Sequence, residues 1–480
     1  MLIIIMINKN SCNKTKIVIT LGPAVDNDET LLKTVKAGAD IFRLNFSHGT
    51  YDDHKKRIEK IRKIEKKYNI LLPVIIDLQG PKIRVGDLEK DIEVKKNDIF
   101  IINPALKIGK DNQFSISYKD LYKHIKKGDK LLIDDGLLKF KVLEVKDKLI
   151  KIKSLNCGVI KPHKGVNLPN TQLPIPALTE KDKEDLKFGI KIGVNAVALS
   201  FVRSAKDIKI LKDFLKKEKA ENLPVIAKIE KPEAVKNIKE IIELVEGIMV
   251  ARGDLGVETS PKEVPEIQKK LIRLANKNKK FVITATQMLE SMIHNRIPTR
   301  AETTDVFNAV LDGSDAVMLS GETAVGNFPV EAVRTMNEII SRAEQYYSEI
   351  RFDSNFKFAD ADRRAIASAT SYLSGFLKPK YIACFTASGK TAIFLSKNKP
   401  HVKIIVFVMD KEVAYYLRFF YSVYSYVVRE YKYTDEMINK VNSFLKEKKL
   451  VKKGDMVLLT YGSPVGRDTE TNSLKIHFIS

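Results

Sequence analysis

Hydrophobic positions along the chain fall into two alternating patterns. Short, nearly unbroken apolar runs occupy residues 16–21, 41–46, 74–78, 196–201, 225–229, 247–251, 282–286 and 316–319. Between most of them lie longer stretches whose apolar residues recur every three or four positions, as at 29–37, 179–192, 205–219, 232–245 and 263–277. A continuous apolar run suits a strand buried on both faces, and the longer period suits an amphipathic helix. Repeated eight times, the alternation predicts a closed parallel (β/α)₈ barrel built from residues 14–86 and 176–341.

The pattern changes twice. From 87 to 175 it gives way to short alternating strands, as at 130–134, 138–145 and 149–155, with turns at 127–129 and 134–136. This predicts an inserted all-β lid domain ending in the proline-rich return 169–176. From 342 to 480 a separate C-terminal α/β domain is expected, with strands near 381–385, 403–408 and 456–461. The aromatic stretch 415–426 reads as core or subunit interface.

Length and composition narrow the class. At 480 residues the chain exceeds one ordinary core, and its apolar fraction of 44% is that of a globular protein. The three cysteines, Cys12, Cys157 and Cys384, form no CxxC, which argues against a disulfide framework or a zinc site. The apolar start at 1–7 is too short for a signal peptide or a membrane span, so residues 1–13 read as a tail. Met6 is a candidate true start, and a cytoplasmic location is expected. The formal charge of +23 is spread over helix faces with acidic residues between, without a basic tail or a base-stacking stripe. It predicts entry of small anions rather than binding of nucleic acid or membrane.

Seven of the eight strands exit into polar clusters. These are Arg43–His48, Asp77–Gln79, Ser200–Arg203, Lys228–Glu230, Arg252–Asp254, Thr284–Gln287 and Ser320–Glu322. Any one of them alone reads as a turn or a helix cap. Seven on one rim predict a site, because the carboxyl ends of barrel strands form a single face. Lys228 and Glu230, two residues apart on a strand, point to the same side. An inward lysine is costly unless paired or working; a salt bridge to Asp254 is one structural reading. Glu230 and Asp254, at the ends of adjacent strands, suit Mg²⁺, which keeps few protein ligands. Gly253 allows close backbone approach of an anion.

KTKIVITLGP at 14–23, RLNFSHG at 43–49, DLQGPKIRVG at 77–86 and KGVNLP at 164–169 resemble the pyruvate kinase family, in its order. So do AKIE at 227–230, MVARGDLGVE at 249–258, ITATQMLESM at 283–292 and MLSGET at 318–323. The resemblance implies phosphoryl transfer from phosphoenolpyruvate to ADP, giving pyruvate and ATP. It implies Mg²⁺ (or Mn²⁺) on Glu230 and Asp254, and Lys228 at the developing enolate. Arg43 would clamp the transferring phosphoryl group. The Gly253 and Asp254 amides and the Thr286 hydroxyl would hold the substrate carboxylate, with Thr286 relaying a proton through water. Asn45, His48, Arg84 and the lid residue Lys164 would contact nucleotide phosphates. A homotetramer is the family's usual assembly.

Many members hold K⁺ at residues matching Asn45, Ser47, Asp77 and the carbonyl of Leu78. Those members commonly carry threonine, lysine, glutamate and threonine where this chain has Leu78, Gln79, Lys82 and Val85. Lys82 thus changes the local charge by two units. At ~4 Å and an effective dielectric of ~20, one unit charge is worth about 4 kcal/mol. A tethered ammonium would replace the monovalent cation, so K⁺-independent activity is expected. In the C-terminal domain, Thr386, Ser388, Gly389, Lys390 and Thr391 resemble a loop that binds a sugar-phosphate or nucleotide effector, with Arg467 on a covering loop. Ordinary helix capping is the plainer reading. Rival readings are another Mg²⁺-dependent, enolate-forming barrel lyase or mutase, and an inactive phosphometabolite sensor or nucleic-acid binder using the net charge.

Overall fold

The computed structural model describes residues 13–169, 171, 173–350, 361–430, 433–463 and 470–480. The apolar start at 1–7, Asn170 and Gln172 of the proline-rich return, and Arg467 lie outside the described residues. Eight strands close into a parallel barrel: β1 (Lys16–Thr20), β2 (Ile41–Asn45), β3 (Val74–Asp77), β4 (Ala196–Leu199), β5 (Val225–Ile229), β6 (Gly247–Ala251), β7 (Phe281–Ala285) and β8 (Ala316–Leu319). Each pairs with its neighbours in chain order, and β1 closes on β8 from Lys16↔Ala316 to Ile19↔Leu319. Their apolar residues are buried on both faces, as the unbroken runs predict.

The helices follow the expected periodicity, and several begin at side-chain caps. Thr179 and Asp182 form a reciprocal box at the start of Glu180–Ile192, and Thr50 with Asp53 does the same for Tyr51–Tyr68. One expectation is corrected. The stretch 232–245 is two helices, Pro232–Lys236 and Ile238–Leu244, broken at Asn237. The Asn237 amide donates to the Arg203 carbonyl (2.9 Å), a side-chain bond that the apolar period cannot report.

Between β3 and β4 the chain builds a β domain with its own core around Phe100, Phe114 and Phe140. Its main sheet has the order Val166–Asn167, Lys130–Ile133, Leu138–Lys146, Leu149–Ser154, Ile99–Ile102, Gln113–Phe114. Two contacts tie it to the barrel rim. Asn167 donates to Glu258 (2.8 Å), and Arg203 donates to the carbonyls of Leu173 (2.6 Å) and Ile175 on the returning chain.

The C-terminal α/β domain carries a five-stranded sheet in the order Val423–Val427, Ile404–Val408, Tyr381–Phe385, Met456–Tyr461, Ser473–Phe478, the last strand antiparallel. It packs on the opposite end of the barrel. Phe281, the first residue of β7, stacks on Phe419 at 4.9 Å and meets Phe420 edge-on at 5.6 Å. The aromatic stretch is therefore core at the junction of barrel and C-terminal domain. With that floor plugged, the carboxyl rim is the open end.

Candidate active site

Asp77, the last residue of β3, is 1% exposed and takes two cations on its two oxygens. Arg43 Nε lies 2.6 Å from Oδ2, and Lys228 Nζ lies 3.2 Å from Oδ1. Arg43 on β2 and Lys228 on β5 both reach inward onto Asp77, from either side of it. Lys228 also contacts Glu230 Oε1 (2.8 Å) and donates to Ser200 Oγ (2.7 Å). The other Glu230 oxygen accepts the Phe201 N–H at 2.9 Å. Arg43 makes a further bond to Thr20 Oγ1 at 3.0 Å.

The ion pairs of Lys228 run to Asp77 and Glu230, so the expected Lys228–Asp254 salt bridge is corrected. Asp254 lies one strand further round, in the helix Arg252–Glu258 that β6 feeds. It still acts electrostatically on both Lys228 and Glu230.

Charge in this cluster is steeply organised. Burial works against the Lys228 ammonium, but Asp77 and Glu230 outweigh it and hold its pKa above the ordinary lysine value. Burial also opposes ionisation of Asp77, yet Lys228 and Arg43 pull its carboxyl below the ordinary range. Glu230 goes the other way: burial, aided by Asp254, raises it despite Lys228. A buried carboxylate raised by a half-buried neighbouring one is what a hard dication would relieve. Lys228 and Arg43 carry two positive charges against three negative on Asp77, Glu230 and Asp254. The donor set therefore fits Mg²⁺ with water completing its shell. Among the described residues no group of three or more His, Cys, Asp or Glu side chains forms a metal cage.

Gly253 and Thr286 meet: the Gly253 N–H donates to Thr286 Oγ1 at 2.8 Å, and that hydroxyl donates to the Ala285 carbonyl at 2.6 Å. Asp254, Gly253 and Thr286 line a cleft of about 1190 Å³ between rim and insert, with Lys130 and Lys139 on the insert's wall. Phe201, Thr286 and Gln287 have φ of 56°, 68° and 52°, so three non-glycine left-handed residues crowd this rim.

The proposed nucleotide residues sit to the other side of Arg43. His48 is pushed below the ordinary histidine range by burial and by the charges of Arg84, Lys82 and Arg43, which places those cations around it. Asn45 Oδ1 accepts the Ser47 N–H (3.2 Å) and the Leu78 carbonyl accepts Ser200 Oγ (2.7 Å). Arg84 donates to the His163 carbonyl at 2.9 Å. Lys164 is adjacent in the insert, but its ammonium pairs with Asp134 at 2.9 Å. Lys82 is half-buried, its stem against Gly165, where an added Cβ would meet Cε at 3.2 Å.

In the C-terminal domain Gly389 (φ 79°) precedes the helix Lys390–Lys397, and its N–H donates to Thr386 Oγ1 at 3.1 Å. Thr391 is buried against Thr471, and no Ser388 cap is formed at this helix.

Ser200 and Arg252 were legible only as members of polar clusters. Ser200 steadies Lys228, and Arg252 gathers the carbonyls of the Thr286 turn. Ser200 lies outside every motif quoted above, and Arg252 lies inside MVARGDLGVE without a role of its own there.

Two family models match the chain: pyruvate kinase, barrel domain, over residues 12–333, and pyruvate kinase, alpha/beta domain, over 364–477. The pyruvate kinase of Staphylococcus aureus (strain MRSA252) is 41% identical over 471 residues, covering 97% of this chain and 80% of the relative. That of Staphylococcus haemolyticus (strain JCSC1435) is 41% identical over 472 residues with the same coverage.

Proposed function

The chain belongs to the pyruvate kinase family, and from that membership we propose that it moves the phosphoryl group of phosphoenolpyruvate to ADP by the following division of labour. The observation that carries this reading is the Lys228 ammonium, shared between Asp77 and Glu230 beneath the cleft. Arg43, anchored on Asp77, presents the rest of its planar fork to the transferring phosphate. Lys228 offers a fixed positive charge to the enolate oxygen as the P–O bond breaks, and a preorganised donor needs no rearrangement when that charge appears. Backbone amides at Gly253–Asp254 and the Thr286 hydroxyl hold the carboxylate. Thr286 passes a proton through water to the enol carbon, which completes pyruvate.

Glu230 and Asp254 would hold Mg²⁺ or Mn²⁺, which would supply positive charge to offset the negative charge of the reacting phosphate. Asn45, His48, Arg84 and Lys164 are the residues proposed for the nucleotide phosphates. Lys164 would have to leave Asp134 as the insert, acting as a lid, comes down and excludes water.

Catalysis without K⁺ belongs to the same reading. Three of the four groups that would ligate a monovalent cation already have partners: Asp77 holds two cations, Leu78 accepts Ser200, and Asn45 accepts Ser47. Lys82 adds a nearby ammonium. The edge strand Ser473–Phe478, with Ile476 and Phe478 exposed and the helix Ala361–Leu377 alongside it, favours a homo-oligomer, proposed as the tetramer usual in the family. The Thr386–Thr391 turn is proposed as a phosphate-effector site, in a cytoplasmic enzyme.

The test is pyruvate formation from phosphoenolpyruvate, with and without ADP. Turnover that requires ADP is expected. ADP-independent turnover would favour a lyase or mutase instead.

A further inference from the structure

The Thr286 turn is held in a conformation that its own residues disfavour. Thr286 is β-branched and sits at φ 68°, and Gln287 follows at φ 52°. Something outside the turn must over-determine it. The observed clamp is a single side chain. Arg252 is 8% exposed and donates Nη2 to the carbonyls of Thr286 (2.7 Å) and Gln287 (3.2 Å), and Nε to that of Ala285 (3.3 Å). Its remaining nitrogen is fixed from behind by Asp305 (2.6 Å) and by Gln268 (3.4 Å). Only a planar guanidinium can collect three successive carbonyls and a carboxylate at once; an ammonium cannot.

We propose that Arg252 is a positioning residue for proton delivery: by pinning three carbonyls of the turn, it aims the Thr286 hydroxyl at the substrate's enol carbon. This rests on the role given to Thr286 above and adds what sets that role. Arg252 is the residue before Gly253, whose N–H is bonded to the same hydroxyl, so one short segment fixes the turn from both sides. Lys228, Arg43 and Glu230, which act in phosphoryl transfer, are supported separately. Lys228 is steadied by Ser200 and Asp77, and Glu230 by the Phe201 N–H, with no contact to Arg252. Loosening the turn should therefore uncouple the two halves. Phosphoryl transfer would give enolpyruvate, whose enol carbon then takes its proton from bulk water after release rather than on the enzyme.

Two rates on the intact enzyme separate these halves. One is ATP formation from phosphoenolpyruvate and ADP. The other is exchange of pyruvate methyl protons into deuterated solvent, followed by NMR with Mg²⁺ and ATP present. In Arg252→Met, exchange should fall at least 100-fold while ATP formation falls less than tenfold. Arg252→Lys should recover little, because it restores the charge without the fork. Asp305→Asn, which keeps the guanidinium but weakens its anchor, should give a milder loss of the same kind and keeps the test alive should Arg252→Met not fold. Equal falls in both rates, or exchange unchanged in a folded variant, would overturn the proposal. Unchanged exchange in Thr286→Val would overturn it through Thr286 itself. A wild-type enzyme without ADP-dependent turnover would instead sink the functional reading on which it stands.

Discussion

Asp77 is the residue on which the two cations proposed for catalysis, Arg43 and Lys228, both converge. Its carboxylate is buried, and both oxygens are committed, one to Arg43 and one to Lys228. Removing one partner of a buried ionic network typically costs about 3–5 kcal/mol, since the remaining charges stay desolvated. Asp77→Asn should therefore lower Tm by several degrees and reduce kcat/KM at least tenfold; calorimetry and steady-state kinetics check the two effects separately. The pH consequence has a definite sign. The folded pKa of Asp77 is depressed, so its stabilising contribution is present above the unfolded carboxylate value and is lost as pH falls through the folded one. Lys397 behaves oppositely. Burial, only partly offset by Asp315, lowers it to about 8. Below about 8 it is charged in both folded and unfolded states and its burial penalty is fully felt. Between about 8 and the unfolded lysine value near ~10.4 the unfolded chain binds the extra proton, so this group adds stability as pH rises. Comparing unfolding midpoints of wild type and Lys397→Met across pH 7–10 isolates that rise, which should vanish in the variant.

Elements explain why this rim was readable and where reading stopped. Burial on both faces leaves strands little freedom of composition, so β5, β6 and β8 begin and end where the apolar runs do. Polar residues at strand ends announced Lys228, Glu230 and Asp254 for the same reason: only there can a buried strand turn polar. Partner choice was not legible. Lys228 reaches Asp77, far away in sequence, because β4 alone separates β3 from β5 and the long lysine side chain spans it. The left-handed turn at Thr286 was equally hidden, since neither Thr nor Gln signals positive φ. At the floor, Gly247 opens β6 directly under the Phe281 ring, where an added Cβ would lie 2.3 Å from a ring carbon. Gly247→Ala should cost roughly 1–3 kcal/mol by overpacking the barrel–C-terminal junction. Denaturant midpoints would show it, and an unchanged midpoint would mean that the ring moves aside freely.

At the scale of the whole molecule, three units meet in one chain: a barrel with its floor plugged by Phe419 and Phe420, a β insert over the open rim, and a C-terminal sheet with an uncovered edge. If that edge is covered by other copies, light scattering will give a particle about four times the chain mass of 54.4 kDa. Replacing Phe478 with Lys should then reduce its size. The charge balance around Lys82 makes a further whole-enzyme prediction. Turnover in K⁺ and in tetramethylammonium, at equal ionic strength, should agree within about twofold. A large loss without K⁺ would show that Lys82 does not stand in for the cation.

The catalytic expectations descend from the Lys228 ammonium held between Asp77 and Glu230, with Asp254 acting on both. The direct test is the steady-state rate of pyruvate formation from phosphoenolpyruvate and ADP, with Mg²⁺, in wild type and Lys228→Met. Loss of one preorganised donor should lower kcat by ~10²–10³ and change KM for phosphoenolpyruvate only severalfold. A folded Lys228→Met enzyme turning over at the wild-type rate would contradict the account.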